Sequence, residues 1–267
     1  MTTAFAGVGW LDLVASVVLA GGILFAALIG PPSPAGARVI RLASALLAVV
    51  LPAEFGLTAY RTHLASGAGG VSLLTDLLAT QWGRLWILRG VGLAVLVARP
   101  PGVAWIAVLW LMARSFQGHA GAHGTVPALI DWVHLLAASA WLGALAQAAL
   151  LPTATPAIAV RIRTLATASI VFLVPAGVYG AFLHVPHLRL LAESPYGRTL
   201  LAKLVGAAAL LGLGAVNHFR HVPALRRGEP DAAAALARTV RREVVLGVVV
   251  LLLTALLREL PMPHAMG

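Results

Sequence analysis

Cysteine is absent from the 267 residues, charged residues make up only 10% of them, and lysine occurs once, at Lys203, among 19 basic residues. The lack of thiols excludes disulfide scaffolds, thiolate zinc or iron–sulfur sites and thiol nucleophiles, so any metal rests on His, Met or carboxylate. The scarcity of charge excludes an ordinary soluble domain, in which about 25% of residues are charged. What fills the chain instead is apolar: 60% of residues are hydrophobic, with a mean hydropathy of +0.92. The solvent for such a chain is largely lipid. The net charge of +10 is carried almost entirely by arginines placed between apolar runs, a pattern that speaks of membrane topology and not of nucleic-acid binding.

A helix needs about 20 apolar residues to cross about 30 Å of hydrocarbon. Eight spans are expected, at Gly9–Ile29, Val39–Tyr60, Arg84–Ala98, Val103–Ser115, Pro127–Leu150, Thr164–Leu183, Thr199–Val216 and Val244–Leu260. The runs are continuous and rich in Ala and Leu, without the period-2 alternation of barrel strands, and only helices or closed barrels satisfy their backbone in lipid. The fold class expected is all-α: a polytopic membrane helical bundle of about eight transmembrane helices, one integral-membrane domain over residues 1–267. The third, fourth and eighth runs are short, and Arg84, Arg99, Arg114 and Arg258 are expected to snorkel to the interface and extend them. The first run has no basic residue before it, carries Asp12, and exceeds the roughly 7 to 15 residues of a signal-peptide core, so it is expected to stay in the mature chain. Arg99-Pro100-Pro101-Gly102 predicts a tight hairpin.

Orientation follows from the basic residues in the connections. With the N-terminus outside, the cytoplasmic side holds eleven (Arg38, Arg41, Arg99, Arg161, Arg163, Arg220, Arg226, Arg227, Arg238, Arg241 and Arg242). The outer side then holds seven: Arg61, Arg84, Arg114, Arg189, Arg198, Lys203 and Arg258. Both termini are therefore expected on the periplasmic side of a bacterial cytoplasmic (inner) membrane.

That orientation gathers His63, His119, His123, His184, His187 and His264 at the outer rim, with His134 inside the fifth span and only His218 and His221 at the inner face. Met262 and Met266 flank His264, and Met112 lies near the outer end of the fourth span. Imidazole and thioether together suit Cu(I) or Cu(II) better than a hard ion, for which the scattered carboxylates offer no cluster. The densest group is Gly118-His119-Ala120-Gly121-Ala122-His123-Gly124, followed by Asp131-Trp132-Val133-His134. Glycines let this loop fold over the bundle mouth, and Asp131 and His134, three apart on a helix, face the same side. His184-Val185-Pro186-His187 ends the sixth span on the same rim, with interface anchoring as its other reading. His218 and His221 read as headgroup contacts or as an exit site for an ion entering from outside. Glu54, Arg89 and Asp131 are charges within spans, and a Glu54–Arg89 or Asp131–Arg89 pair would remove most of their cost.

Several stretches resemble the copper resistance protein D (CopD/PcoD) family of inner-membrane copper-handling proteins. They are Gly118-His119-Ala120; His134-Leu135-Leu136-Ala137-Ala138-Ser139-Ala140-Trp141-Leu142-Gly143; Gly83-Arg84-Leu85-Trp86-Ile87-Leu88-Arg89; Tyr196-Gly197-Arg198-Thr199-Leu200-Leu201-Ala202-Lys203; and the segment Asn217 to Pro223. The His-to-Trp-Leu-Gly stretch is the most specific. The resemblance implies copper movement across the cytoplasmic membrane, inward from a periplasmic CopC-like copper-binding partner, by a transporter and not an enzyme. The metal ligands expected are His119, His123 and His134, assisted by His184 and His187 or by Met262, His264 and Met266. Two rival classes use the same residues: a b-type haem cytochrome, which needs two imidazoles from neighbouring helices at one depth, and a copper-delivery or assembly factor for a respiratory oxidase. A metalloprotease fits poorly, because His119 and His123 bracket Ala-Gly-Ala and lack the adjacent Glu of a His-Glu-x-x-His site.

Overall fold

A computed structural model of the chain describes residues 2–99, 101–153, 155–185, 187 and 189–261, with the side chains of Thr2 and His119 outside that description. Met262, His264 and Met266 lie outside the described residues. In chain order the helices are α1 (Thr2–Leu28), α2 (Pro34–Ser66), α3 (Gly70–Ala79), α4 (Gln81–Ala98), α5 (Val103–Gln117), α6 (His119–Ala122), α7 (Thr125–Ala149), α8 (Pro156–His184), α9 (Arg189–Glu193) and α10 (Pro195–Val216). A π-helical turn, Asn217–His221, then leads into α11 (Val222–Arg226), and α12 (Ala232–Glu259) closes the bundle. No strand occurs among the described residues.

Each of the eight apolar runs coincides with a helix, and five helices are long and apolar enough to cross a membrane: α1, α2, α7, α8 and the continuous helix 195–226. The other three fall short for local reasons. α5 has 15 residues, α4 carries Arg84 and Arg89 within 18 residues, and α12 carries charges at both ends. The short helix α3 is an element that the periodicity did not predict.

The helix starts are written in the sequence. Ser33, Thr155 and Ser194 each precede a proline at the first helical position, and each side-chain hydroxyl accepts a backbone N–H, from Gly36, Ile158 and Gly197 respectively. Thr80 caps α4 in the same way through Gly83 N–H. The expected hairpin at 99–102 forms: Arg99 and Gly102 both take left-handed backbone (φ 52° and 78°), reversing the chain so that α4 and α5 pack together.

α1 is the central element, packed on α2, α5, α7 and α12. Its crossing with α7 is made by small residues: a Cβ on Gly21 would collide with the Ser139 carbonyl and Gly143 Cα, and one on Gly143 would strike the Gly21 backbone. Without water to drive helices together in lipid, such close backbone approach supplies the dispersion contact that does. Leu19, Leu47, Leu96 and Leu111 form one core around this crossing, and Trp141, Leu210 and Val240 belong to a second. α8 and α10 face outward, with Val171, Phe172, Phe182 and Val205 exposed on the surface of the bundle.

Gly143→Val is therefore expected to destabilise the bundle by about 1 to 3 kcal/mol through overpacking. Gly56→Ala, on open space in α2, is expected to be neutral or better. Thermal unfolding in detergent separates the two, and equal midpoints would contradict the tight crossing.

Candidate functional site

At one end of the bundle a carboxylate from the first helix meets two guanidinium groups from the hairpin. Asp12 is 1% exposed; Arg89 Nη2 pairs with its Oδ1, and Arg114 Nε donates to its Oδ2 at 2.8 Å. Arg89 Nη1 donates to Gln117 Oε1 at 2.9 Å and reaches Glu54 Oε2 at 3.5 Å, while Ser16 Oγ donates to Asp12 at 3.3 Å. The Arg89 guanidinium also lies 5.1 Å from the Trp110 ring centroid, and Trp110 Nε1 donates to the Arg89 carbonyl at 2.8 Å. Of the two expected pairs, Glu54–Arg89 forms; Asp131 is not among the acidic partners of Arg89. Arg114 departs from the expectation that it snorkels, because Asp12 draws it inward until it is 6% exposed. A cavity of about 310 Å³ opens beside this network, lined also by Trp82, Arg258 and Glu259.

The histidine rim lies across α6, α7 and α8. His123, exposed at the end of α6, meets His184 at the end of α8 edge to face, with ring centroids 5.6 Å apart, and Tyr196 stacks on His184 at 6.0 Å. The structure thus joins two motifs that lie 61 positions apart in the sequence, from 123 to 184. His187 is exposed beyond them. His134 sits lower, half-buried, with Nδ1 3.1 Å from the Leu173 carbonyl of α8; Gly177 makes room, since a Cβ there would lie 3.1 Å from His134 Cε1. His184 Nδ1 is 2.7 Å from the Gly180 carbonyl. A carbonyl can only accept, so in both rings Nδ1 carries the proton and the lone pair is on Nε2. That is the arrangement in which metal-ligating imidazoles are usually held.

Asp131 interacts electrostatically with His134, as their spacing predicted, and also with Lys203 of α10. Lys203 is thus part of the bundle wall, partly buried, where the loop count had placed it among connecting residues. Its isolation in an apolar run was the available signal. Among the described residues no three His, Asp or Glu are grouped closely enough to hold a metal ion.

At the opposite end of the bundle, Glu243 of α12 is 1% exposed and accepts a bond from Asn217 Nδ2 at 2.8 Å. Nothing in the periodicity singled out Glu243, which stands at the boundary of an Arg-rich connection and an apolar run.

Residues 156–257, from α8 through most of α12, match the family model for Copper resistance protein D. The chain is also 29% identical over 214 residues, 70% of its length, to "Copper transport protein CutJ" of Bacillus subtilis (strain 168), and spans 38% of that relative's length. No solved structure matches. The family match begins after the His134–Gly143 stretch and takes in His184, His187, Lys203, Asn217, His218 and Glu243.

Replacing Asp12 by Asn leaves two buried guanidinium groups without their shared countercharge, and a loss of about 3 to 5 kcal/mol is expected. Glu54→Gln, at a longer and more exposed contact, is expected to lose about 1 kcal/mol. Thermal unfolding of the two variants checks the ranking; equal losses would contradict it. The match to the Copper resistance protein D model thus falls on residues 156–257, in the C-terminal part of the chain, and includes His184 but not His123.

Proposed function

We propose that this protein is a multi-pass protein of the bacterial inner membrane that binds copper at its outer face and moves it inward. The observation that carries the reading is the His123–His184 contact, which brings imidazoles from the ends of α6 and α8 together. Imidazoles at a membrane rim suit copper, and the chain offers no thiolate to compete. The family match and the similarity to a protein named for copper transport support the same cargo. His119 and His187 stand beside the pair in sequence, and His134 lies below it on α7, in the direction an inward-moving ion would take. The tail residues Met262, His264 and Met266 and a periplasmic CopC-like donor complete the proposed outer machinery. Asp131 and Lys203 hold the surroundings of His134 near neutrality, and Glu54 and Arg89 keep the neighbouring helices together.

In this reading the bundle crosses the membrane eight times, with both termini outside. The cysteine-free chain allows a direct check by single introduced thiols. Ser66→Cys, at the end of α2, is expected to react with an impermeant maleimide added to spheroplasts, and Glu229→Cys, before α12, only after lysis. The reverse pattern would overturn the orientation.

The site itself is tested by Cu(I) loading of detergent-purified protein. His123→Ala/His184→Ala is expected to weaken binding at least about tenfold relative to the unsubstituted chain. Unchanged copper per chain and unchanged affinity would show that the metal goes elsewhere.

A further inference from the structure

The inner end of the bundle contains a second set of donor atoms, independent of the outer histidines. Glu243 Oε1 and Asn217 Oδ1 have no hydrogen-bond partner among the described residues, although both side chains are more than nine-tenths buried. No Lys or Arg lies within 4.0 Å of the Glu243 carboxylate among the described residues. Both unmet atoms are acceptors, so what the pair lacks is a cation or a proton. An ionisable group left this way within a membrane helix is expensive, and such groups default to function.

The backbone is specialised at the same place. Asn217 opens a π-helical turn, Asn217–His221, inside an otherwise continuous helix, a feature that recurs at functional sites. The widened turn sets Asn217 toward Glu243 and places His218 on the wall of a cavity of about 440 Å³ that Glu243 and Asn217 also line. The tautomer of His218 follows from its neighbour. Thr167 Oγ1 donates its one proton to the Arg163 carbonyl at 2.9 Å, so toward His218 Nδ1, 3.4 Å away, it can only accept. His218 Nδ1 therefore carries the proton and Nε2 the lone pair. Arg163 and Arg241 line the same cavity, the first half-buried and the second exposed, where solvent and headgroups screen them.

We propose that Glu243, Asn217 and His218 form a binding station for one divalent transition-metal cation at the inner end of the bundle. A carboxylate oxygen, an amide oxygen and an imidazole nitrogen make a borderline-hard set that suits Cu(II) and its neighbours over Cu(I). The proposal rests on the inner-end geometry and does not require the outer histidines.

The test is Cu(II) titration of the full chain in detergent, followed by electron paramagnetic resonance, with circular dichroism and gel filtration confirming each variant's fold. Glu243→Gln and His218→Ala are each expected to lose one Cu(II) per chain, or to bind it at least about tenfold more weakly. His123→Ala/His184→Ala is expected to keep that ion, so failure of the outer site and failure of this one give different patterns. A folded Glu243→Gln protein that retains full Cu(II) stoichiometry and affinity would overturn the proposal and leave Glu243 as a protonated structural carboxyl. Should Glu243→Gln fail to fold, His218→Ala decides alone, because its side chain is only half-buried and retention of the ion there would equally overturn it.

Discussion

A carboxylate held in hydrocarbon must be matched, and in this protein Asp12 is matched twice. Arg89 from α4 and Arg114 from α5 converge on it, which fixes the rotation of the central helix α1 against the hairpin that carries them. Arg89 then has hydrogens left to reach Glu54 on α2 and Gln117 at the end of α5. Four helices are tied together at one end of the bundle by one buried charge and its partners. Breaking a buried pair costs more than never having made it, so this network constrains the fold more than it stabilises it.

The consequence is a division of labour across the bundle. In α1, α2, α4 and α5 the charges within the membrane largely neutralise one another. In α7, α8, α10 and α12 the polar groups are differently placed: among the described residues His134 bonds a backbone carbonyl, Asp131 and Lys203 interact across two helices, and Glu243 is paired with an amide and not with a cation. The first half is built to hold shape, and the second carries donor atoms that are available for chemistry. The family match falls wholly in that second half. The two ends of the bundle also differ in donor character, with paired imidazoles at one and a buried carboxylate–amide pair at the other.

The helical class, the positions of all eight apolar runs and the 99–102 hairpin were legible because lipid imposes continuous apolar length and because Pro and Gly end helices for local reasons. That Arg89 needs a carboxylate was also legible, since a charge in the middle of a span needs a partner, but the sequence left Glu54 and Asp131 as alternatives and did not point to Asp12, its closest partner. The fate of Arg114 was hidden: from sequence a terminal arginine snorkels, and only three-dimensional proximity to Asp12 turns it inward. Glu243 was hidden similarly, standing close enough to a charged connection to be counted with it, whereas Lys203 stood inside an expected span and its isolation there was a signal left unused. The joining of His123 to His184 could not be read from spacing, because it depends on how α8 packs on α7. The π-turn at Asn217 leaves no periodic trace, yet it brings the amide to Glu243.

The account depends most on copper being held by imidazole at the outer rim. X-ray absorption at the copper edge, on Cu(I)-loaded protein in detergent, addresses this directly. Outer-shell scattering from two or more imidazole rings, lost in His123→Ala/His184→Ala, is the predicted result. Copper ligated by thioether sulfur alone, or a spectrum unchanged by that substitution, would contradict it.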